Sequence, residues 1–213
     1  MKMSKSVVAR IWKTIRKRFR DSKVRPIKEI TELIRSGSPE ELAAMDSTPE
    51  DALDPPAPLH ISSVFKIKDP VDFYEQLWRN LRAKVEANKE SWKGLNPSEK
   101  AVLAVWALQC EVNNGGFDQY FFNPTGDHAH EVVPALRLIG ATELADIAGR
   151  ARAVFPGGAP SPNRKTRWKQ ADKIEEKAKP IWKALNQEFY ESGEKLHELV
   201  FRYAKKHPRE FGA

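Results

Sequence analysis

The chain of 213 residues is 40% hydrophobic and 31% charged, with 36 Lys/Arg against 29 Asp/Glu and one cysteine. One cysteine excludes a disulfide framework, and no apolar run approaches the roughly 18 residues that a membrane-spanning helix needs. The length suits one domain with a short appendage, and a basic N-terminus without a continuous apolar stretch predicts a soluble, cytoplasmic protein.

The charge is unevenly laid out along the chain. Residues 1–28 hold 11 Lys/Arg and the single acid Asp21, a net +10. Within them Val8, Ile11, Trp12, Ile15 and Phe19 recur at helical spacing, which predicts a basic amphipathic helix. Lys13, Arg16, Lys17, Arg18 and Arg20 are its candidate binding residues. Such a helix suits an anionic membrane, a partner's groove or nucleic-acid phosphates, and it equally suits packing on its own body. Residues 29–62 read as an acidic linker with room for a short helix. Pro39, Pro49, Pro55, Pro56 and Pro58 break up the pattern there, and residues 29–60 carry eight acids against Arg35. Residues 63–213 form the body, and residues 61–213 are nearly balanced, with 24 basic and 20 acidic residues, a net +4.

His60 to Lys68 has the length of a short extended piece. From there the punctuation is helical, because Asp-Pro, Asn-Pro and Ser-Pro pairs place a capping side chain before a proline that suits a first helical turn. Asp69-Pro70 opens a segment with Val71, Tyr74, Leu77, Trp78, Leu81 and Val85 on one face. Asn96-Pro97-Ser98-Glu99 has the form of a capping box. The run Ala101 to Leu108 is apolar all round and predicts a central helix that holds Cys110 in the core and ends near Asn113-Asn114-Gly115-Gly116. A short aromatic helix over Phe117 to Asn123, a turn at Asn123-Pro124-Thr125-Gly126, and helices over about 129–139 and 144–155 follow. Ser161-Pro162 starts another helix, Pro180 interrupts or restarts it, and Trp182, Leu185, Phe189, Leu196, Leu199, Val200 and Tyr203 carry the buried side to the end. No alternating strand pattern is present. The fold class is all-α: one multi-helix globular domain with a basic amphipathic N-terminal helix and a proline-rich acidic linker.

Three groupings bear on chemistry. Glu111, Asn113, Asn114, Asp118, Gln119 and Asn123 gather where an apolar helix meets two tight turns. Their structural role is to satisfy backbone N–H groups freed at the double glycine; their functional role makes Glu111 a general base or ligand contact, with Asn114 as its companion, in an aromatic-walled pocket. The structural role assigns Glu111, Asn114, Gly115, Gly116, Phe117 and Asn123 to the scaffold. Asp127-His128-Ala129-His130-Glu131 has ligand chemistry, but residues two apart on a helix diverge, so no metal site is assigned. Arg164, Lys165, Arg167, Trp168, Lys169 and Lys173 suit either a nucleic-acid face or a solvated helix surface. No phosphate loop, dinucleotide fingerprint or nucleophile elbow occurs, and no cofactor or catalytic residue is assigned.

The stretch Glu111-Val112-Asn113-Asn114-Gly115-Gly116-Phe117-Asp118-Gln119-Tyr120-Phe121-Phe122-Asn123, with Ala135-Leu136, Ile139-Gly140-Ala141, Phe189-Tyr190, Tyr203, His207 and Phe211, resembles a bacterial family of unknown function whose best-known member is a DNA-mimic protein. The resemblance spans about residues 70–211. It implies an all-α domain and, for the mimic, an acidic surface that occupies the DNA-binding face of a transcription regulator. Duplex mimicry needs a dense array of carboxylates, which a body of net +4 does not supply. The function expected is therefore a non-enzymatic, regulatory helical module that engages a protein partner. The alternatives are an adaptor that holds nucleic acid or anionic membrane through residues 1–28, and a small-ligand binder or enzyme that uses Glu111 and Asn114.

Overall fold

The computed structural model describes residues 60–87 and 91–213, which fall within the unit Ala57–Ala213. The basic arm, its residues Lys13, Arg16, Lys17, Arg18 and Arg20, and the acidic stretch up to residue 59 lie outside the described residues. Among the described residues seven α-helices follow one another: α1 (Ile61–Val64), α2 (Pro70–Ala87), α3 (Pro97–Phe122), α4 (Ala129–Leu138), α5 (Thr142–Ala153), α6 (Arg164–Glu191) and α7 (Leu196–Lys206). Short 3-10 turns occupy Ser91–Gly94, Pro124–His128, Pro156–Gly158 and Pro208–Phe211, and the described residues contain no strand. The all-α reading holds.

The apolar helix α3 lies at the centre, against α2, α4 and α6. Val102, Val105, Leu108 and Val112 have no exposed surface, as a helix without a polar face requires. Its start follows the sequence signal closely. The Asn96 side chain accepts from the Glu99 amide at 3.0 Å, and the Glu99 carboxylate accepts from the Asn96 amide at 3.0 Å, a reciprocal box with Pro97 in the first turn. Asp69 likewise accepts from the Val71 and Asp72 amides at 2.9 Å each and caps α2.

The central helix does end at the double glycine, as expected: Gly116 has a non-helical backbone, and a short aromatic helix resumes beyond it and runs to Phe122. Four expectations are corrected. His60 to Lys68 is a helical turn rather than an extended piece, because Ser63, Val64 and Phe65 close hydrogen bonds back to His60 and Ile61. Cys110 is half-buried rather than in the core. The last long helix is capped by Asn163, which accepts from the Thr166 amide at 3.0 Å, not by Ser161. Pro180 neither interrupts nor restarts that helix: it is exposed, and Ala178 and Trp182 on either side are buried, so tertiary packing overrides the one missing backbone hydrogen bond.

The C-terminal segment is tied to this core at two places. Lys205 of α7 donates to the carbonyls of Phe65 and, at 3.1 Å, Ile67, while its ammonium lies 4.9–5.6 Å from the rings of Phe65, Phe73 and Phe201. Asn96 donates to the Glu210 carbonyl, and Ser98 lies between the Tyr203 hydroxyl, at 2.6 Å, and the Glu210 carboxylate. Asn96 therefore serves one helix start and one chain end at once. Replacing it with Ala should cost about 1–2 kcal/mol, the upper part of the range for a helix cap, seen as a lower urea midpoint with an unchanged m-value.

Candidate functional site

The break at Gly116 creates the site. Gly116 has φ +89°, a conformation that suits glycine, and a Cβ there would also run into the Asn186 side-chain amide. In a straight helix residue 123 would lie about 18 Å along the axis from residue 111. Instead the Asn123 amide donates to Glu111 Oε2 at 2.8 Å, so the second half of α3 folds sharply back beside the first.

Glu111 holds this bend. Its carboxylate is 5% exposed and accepts from Gln119 Nε2 at 2.7 Å, Asn123 Nδ2 at 2.8 Å and Thr125 Oγ1 at 3.1 Å. Burial raises its pKa above the ordinary carboxylate value, and these three donors oppose the rise. Gly115 makes room for the arrangement, since a side chain there would displace the Gln119 amide.

The backbone freed by the break is satisfied by other groups. The Phe117 amide donates to Asn186 Oδ1 of α6 at 2.9 Å. Burial raises the Asp118 pKa, opposed by the nearby Asp118 and Gln119 amides and by the charge of Lys179. An acid in the first turn of the resumed helix also suits the helix dipole. The expectation that Glu111 and the neighbouring asparagines take these backbone amides is thus corrected: Glu111 binds side chains, Asn113 is half-buried and Asn114 is exposed. Phe117 is fully buried against Phe121 and Phe189.

Beyond Phe122 the bend is locked by α6. Arg167 has no exposed surface and donates through Nε to the Phe121 carbonyl (2.6 Å), through Nη1 to the Ser161 carbonyl (2.7 Å), and through Nη2 to the Asn123 carbonyl (3.0 Å) and Asp127 Oδ1 (2.6 Å). Burial lowers its pKa and the Asp127 carboxylate opposes that shift. Trp168, stacked on Phe122 at 4.9 Å, donates Nε1 to the Phe122 carbonyl at 2.7 Å. Three successive carbonyls at the end of α3 are therefore capped by two adjacent side chains of another helix. A Cβ on Gly126 would press on the Arg167 guanidinium and the Tyr120 carbonyl, which explains the glycine. Arg167 and Trp168 are removed from the solvated basic face on which the sequence pattern placed them.

Next to this junction, Trp92 stacks on His128 at 3.8 Å and donates Nε1 to Glu131 at 2.7 Å. His128 Nδ1 and His130 Nε2 lie 3.9 and 3.3 Å from the same Glu131 oxygen. The two histidines come closer than the helical argument predicted, because His128 ends a 3-10 turn and only His130 lies in α4. Burial lowers the pKa of His128. Among the described residues no group of three or more His, Cys, Asp or Glu is arranged to hold a metal ion, and no helix is long and apolar enough to cross a membrane.

The sharply bent central helix with its Glu111 clamp lies within residues 93–207, which match the family model of the DMP19-like proteins. The chain belongs to the DMP19-like family. The match covers α3 to α7 and leaves α1 and α2 outside, a shorter span than the resemblance drawn from residues 70–211. No curated protein and no solved structure matches the chain.

The residues missed in the sequence are Arg167 as a buried tie, Asn186, Thr125 and Gln119 as a donor to Glu111. In the second half of α3, Arg167 and Asn186 reach backbone groups 46 and 69 residues away, so nothing local marks that role.

The clamp makes a clear prediction for Glu111. In Glu111→Gln the amide oxygen accepts from Gln119 and Asn123 while the new amide donates to the Thr125 hydroxyl, so stability at neutral pH should stay within about 1 kcal/mol of wild type. Glu111→Ala should lose at least about 1–3 kcal/mol through unpaired buried donors. A raised carboxylate pKa means that the native state binds the proton more tightly than the unfolded chain. The wild type should therefore be most favoured relative to Glu111→Gln below the ordinary carboxylate pKa of about 4.3, and lose that advantage as pH rises through the raised value. Urea midpoints of both proteins followed from about pH 4 upward measure this.

Proposed function

We propose that this DMP19-like protein is a non-enzymatic helical module that engages a macromolecular partner through its surface. The observation that carries the reading is that the Glu111 carboxylate is 5% exposed and occupied by three of the protein's own side chains, while Asn114 faces outward. A general base or ligand contact needs a reachable carboxylate with a second polar group facing it across a cleft, and this pair does not supply one. The polar motif instead serves the bend. Membership of the DMP19-like family supports the same reading, since the resemblance implies a protein that acts by contact.

Duplex mimicry is not part of the proposal. The net charge of residues 61–213 is +4, and cations are prominent along α6, opposite in sign to a DNA surrogate. The second reading, an adaptor for nucleic acid or anionic membrane, is favoured by the +10 carried in residues 1–28.

Affinity capture from native extract, using full-length protein with and without nuclease, separates these readings when repeated with the double variant Glu111→Gln/Asn114→Ala. The module reading expects a co-purifying protein retained by the double variant and insensitive to nuclease. Loss of capture by a folded double variant would transfer function to the Glu111 region, and nuclease-sensitive capture would favour the adaptor.

A further inference from the structure

The long helix α6 presents two different sides. Its inner side carries the buried residues Arg167, Trp168, Ala178, Trp182, Leu185 and Phe189. On its outer side Lys165, Lys169, Lys173 and Lys177 recur at every fourth residue, and all four are exposed. Successive members stand about 6 Å apart along the axis, so the four make a ladder about 18 Å long. Among the described residues no carboxylate lies within ion-pair distance of any of them, although other surface cations of the body, such as Arg150 and Arg82, are paired with glutamates. Glu176 is the one exposed acid between residues 164 and 183.

The placement of these cations works against the helix itself. A helix favours acids in its first turn and bases in its last. Helix α6 has no acid in its first turn and no base in its last: Arg164, Lys165, Arg167 and Lys169 crowd the N-terminal end, and Glu188 and Glu191 lie at the other. Of the four N-terminal cations, Arg167 has the internal role described above. The exposed lysines have no such role: Lys165 in the first turn raises the positive potential where the unpaired amides already raise it, and Lys169, Lys173 and Lys177 continue a row of like charges at i, i+4 spacing. That arrangement disfavours the helix by a few tenths of a kcal/mol or more per charge, and an anionic partner is what makes it favourable.

We propose that Lys165, Lys169, Lys173 and Lys177 form a phosphate-contacting strip by which the body grips the backbone of duplex nucleic acid without reading its bases. This goes beyond the module reading above and does not depend on its protein partner. A regular row of point charges suits a regular row of phosphates, and lysine supplies position without base recognition. A duplex is favoured over a single strand because single-strand grooves offer free aromatic faces to unstacked bases, whereas Trp168 is buried and stacked on Phe122. A membrane surface is disfavoured because the lysine side lacks the large apolar residues that an interfacial helix inserts; Ile181 is the one large hydrophobic of residues 164–183 that stands exposed.

The test uses the full chain and a fluorescein-labelled duplex DNA of twenty base pairs, followed by anisotropy across a salt titration. The strip variant Lys165→Gln/Lys169→Gln/Lys173→Gln/Lys177→Gln is compared with a control of equal net charge, Lys66→Gln/Lys68→Gln/Lys93→Gln/Lys206→Gln, in which all four positions are exposed. The basic N-terminal segment is present in both. The strip variant should bind at least tenfold more weakly than the control, and its slope of log affinity against log salt should be shallower by about 3 to 4, the value for four lost phosphate contacts. It should melt no lower than wild type, because it removes one cation from the first turn and the like-charge i, i+4 pairs along the row. Equal affinity and slope for the two variants would overturn the proposal. So would loss of binding to labelled poly-L-glutamate with duplex binding unchanged, which would assign the strip to an acidic protein. Protein capture by the strip variant is scored separately, so failure on duplex leaves the module reading standing.

Discussion

A fully buried arginine constrains everything packed around it. The guanidinium keeps its charge in any protein environment, and each N–H that is withdrawn from water must meet an acceptor. Arg167 meets carbonyls of Phe121, Asn123 and Ser161 and the carboxylate of Asp127. Those acceptors belong to the end of α3, the loop before α6 and the 3-10 turn between α3 and α4. They converge only if α3 bends at Gly116 and the chain turns again at Pro124. The Glu111 clamp inside the bend and the Arg167 tie outside it are two halves of one condition.

The same logic extends along α6, whose side chains complete the ends of other helices. Trp182 donates to the Ala151 carbonyl near the end of α5 at 2.9 Å, and Asn186 accepts from the Phe117 amide. Tyr190, half exposed, still donates its hydroxyl to the Val112 carbonyl at 2.7 Å. Just beyond α6, Glu194 accepts from the Glu143 and Leu144 amides and caps α5. Helix termini buried without partners are costly, so a single long helix that supplies them binds the bundle by directional bonds as well as by apolar contact. This arrangement commits the polar groups of the inner side to structure, while the lysines of the outer side of α6 stay exposed.

What was legible in the sequence follows from range. The capping box at Asn96 and Glu99, the Asp69-Pro70 start and the all-round apolar run that became the core of α3 are local signals, and each appears where the residues place it. The double glycine marks the end of the first helix, and it is only the fold-back of the next one that depends on a distant partner, Asn186, 69 residues from the amide it receives. Glu111 and Asn123 belong to one polar cluster in the sequence, but their contact needs the bend, so the sequence alone suggests backbone capping where the structure has a side-chain clamp. Arg167 looked like one more cation in Arg164 to Lys173, because periodicity on a helix of mixed composition does not say which cation turns inward. Pro180 read as a breaker by propensity and is carried through by the buried residues on both sides of it.

The most direct test of this account is the stability of Arg167→Lys, followed by urea denaturation with far-ultraviolet circular dichroism. Lysine keeps the charge and much of the length but offers one compact ammonium in place of a planar fork, and it cannot span four acceptors on three segments. The account predicts a loss of about 3–5 kcal/mol, in the range for breaking a buried charge network, with the helix content of the folded state retained. A change within about 0.5 kcal/mol, the scale of an ordinary surface substitution, would contradict it and show that apolar packing alone sets the bend.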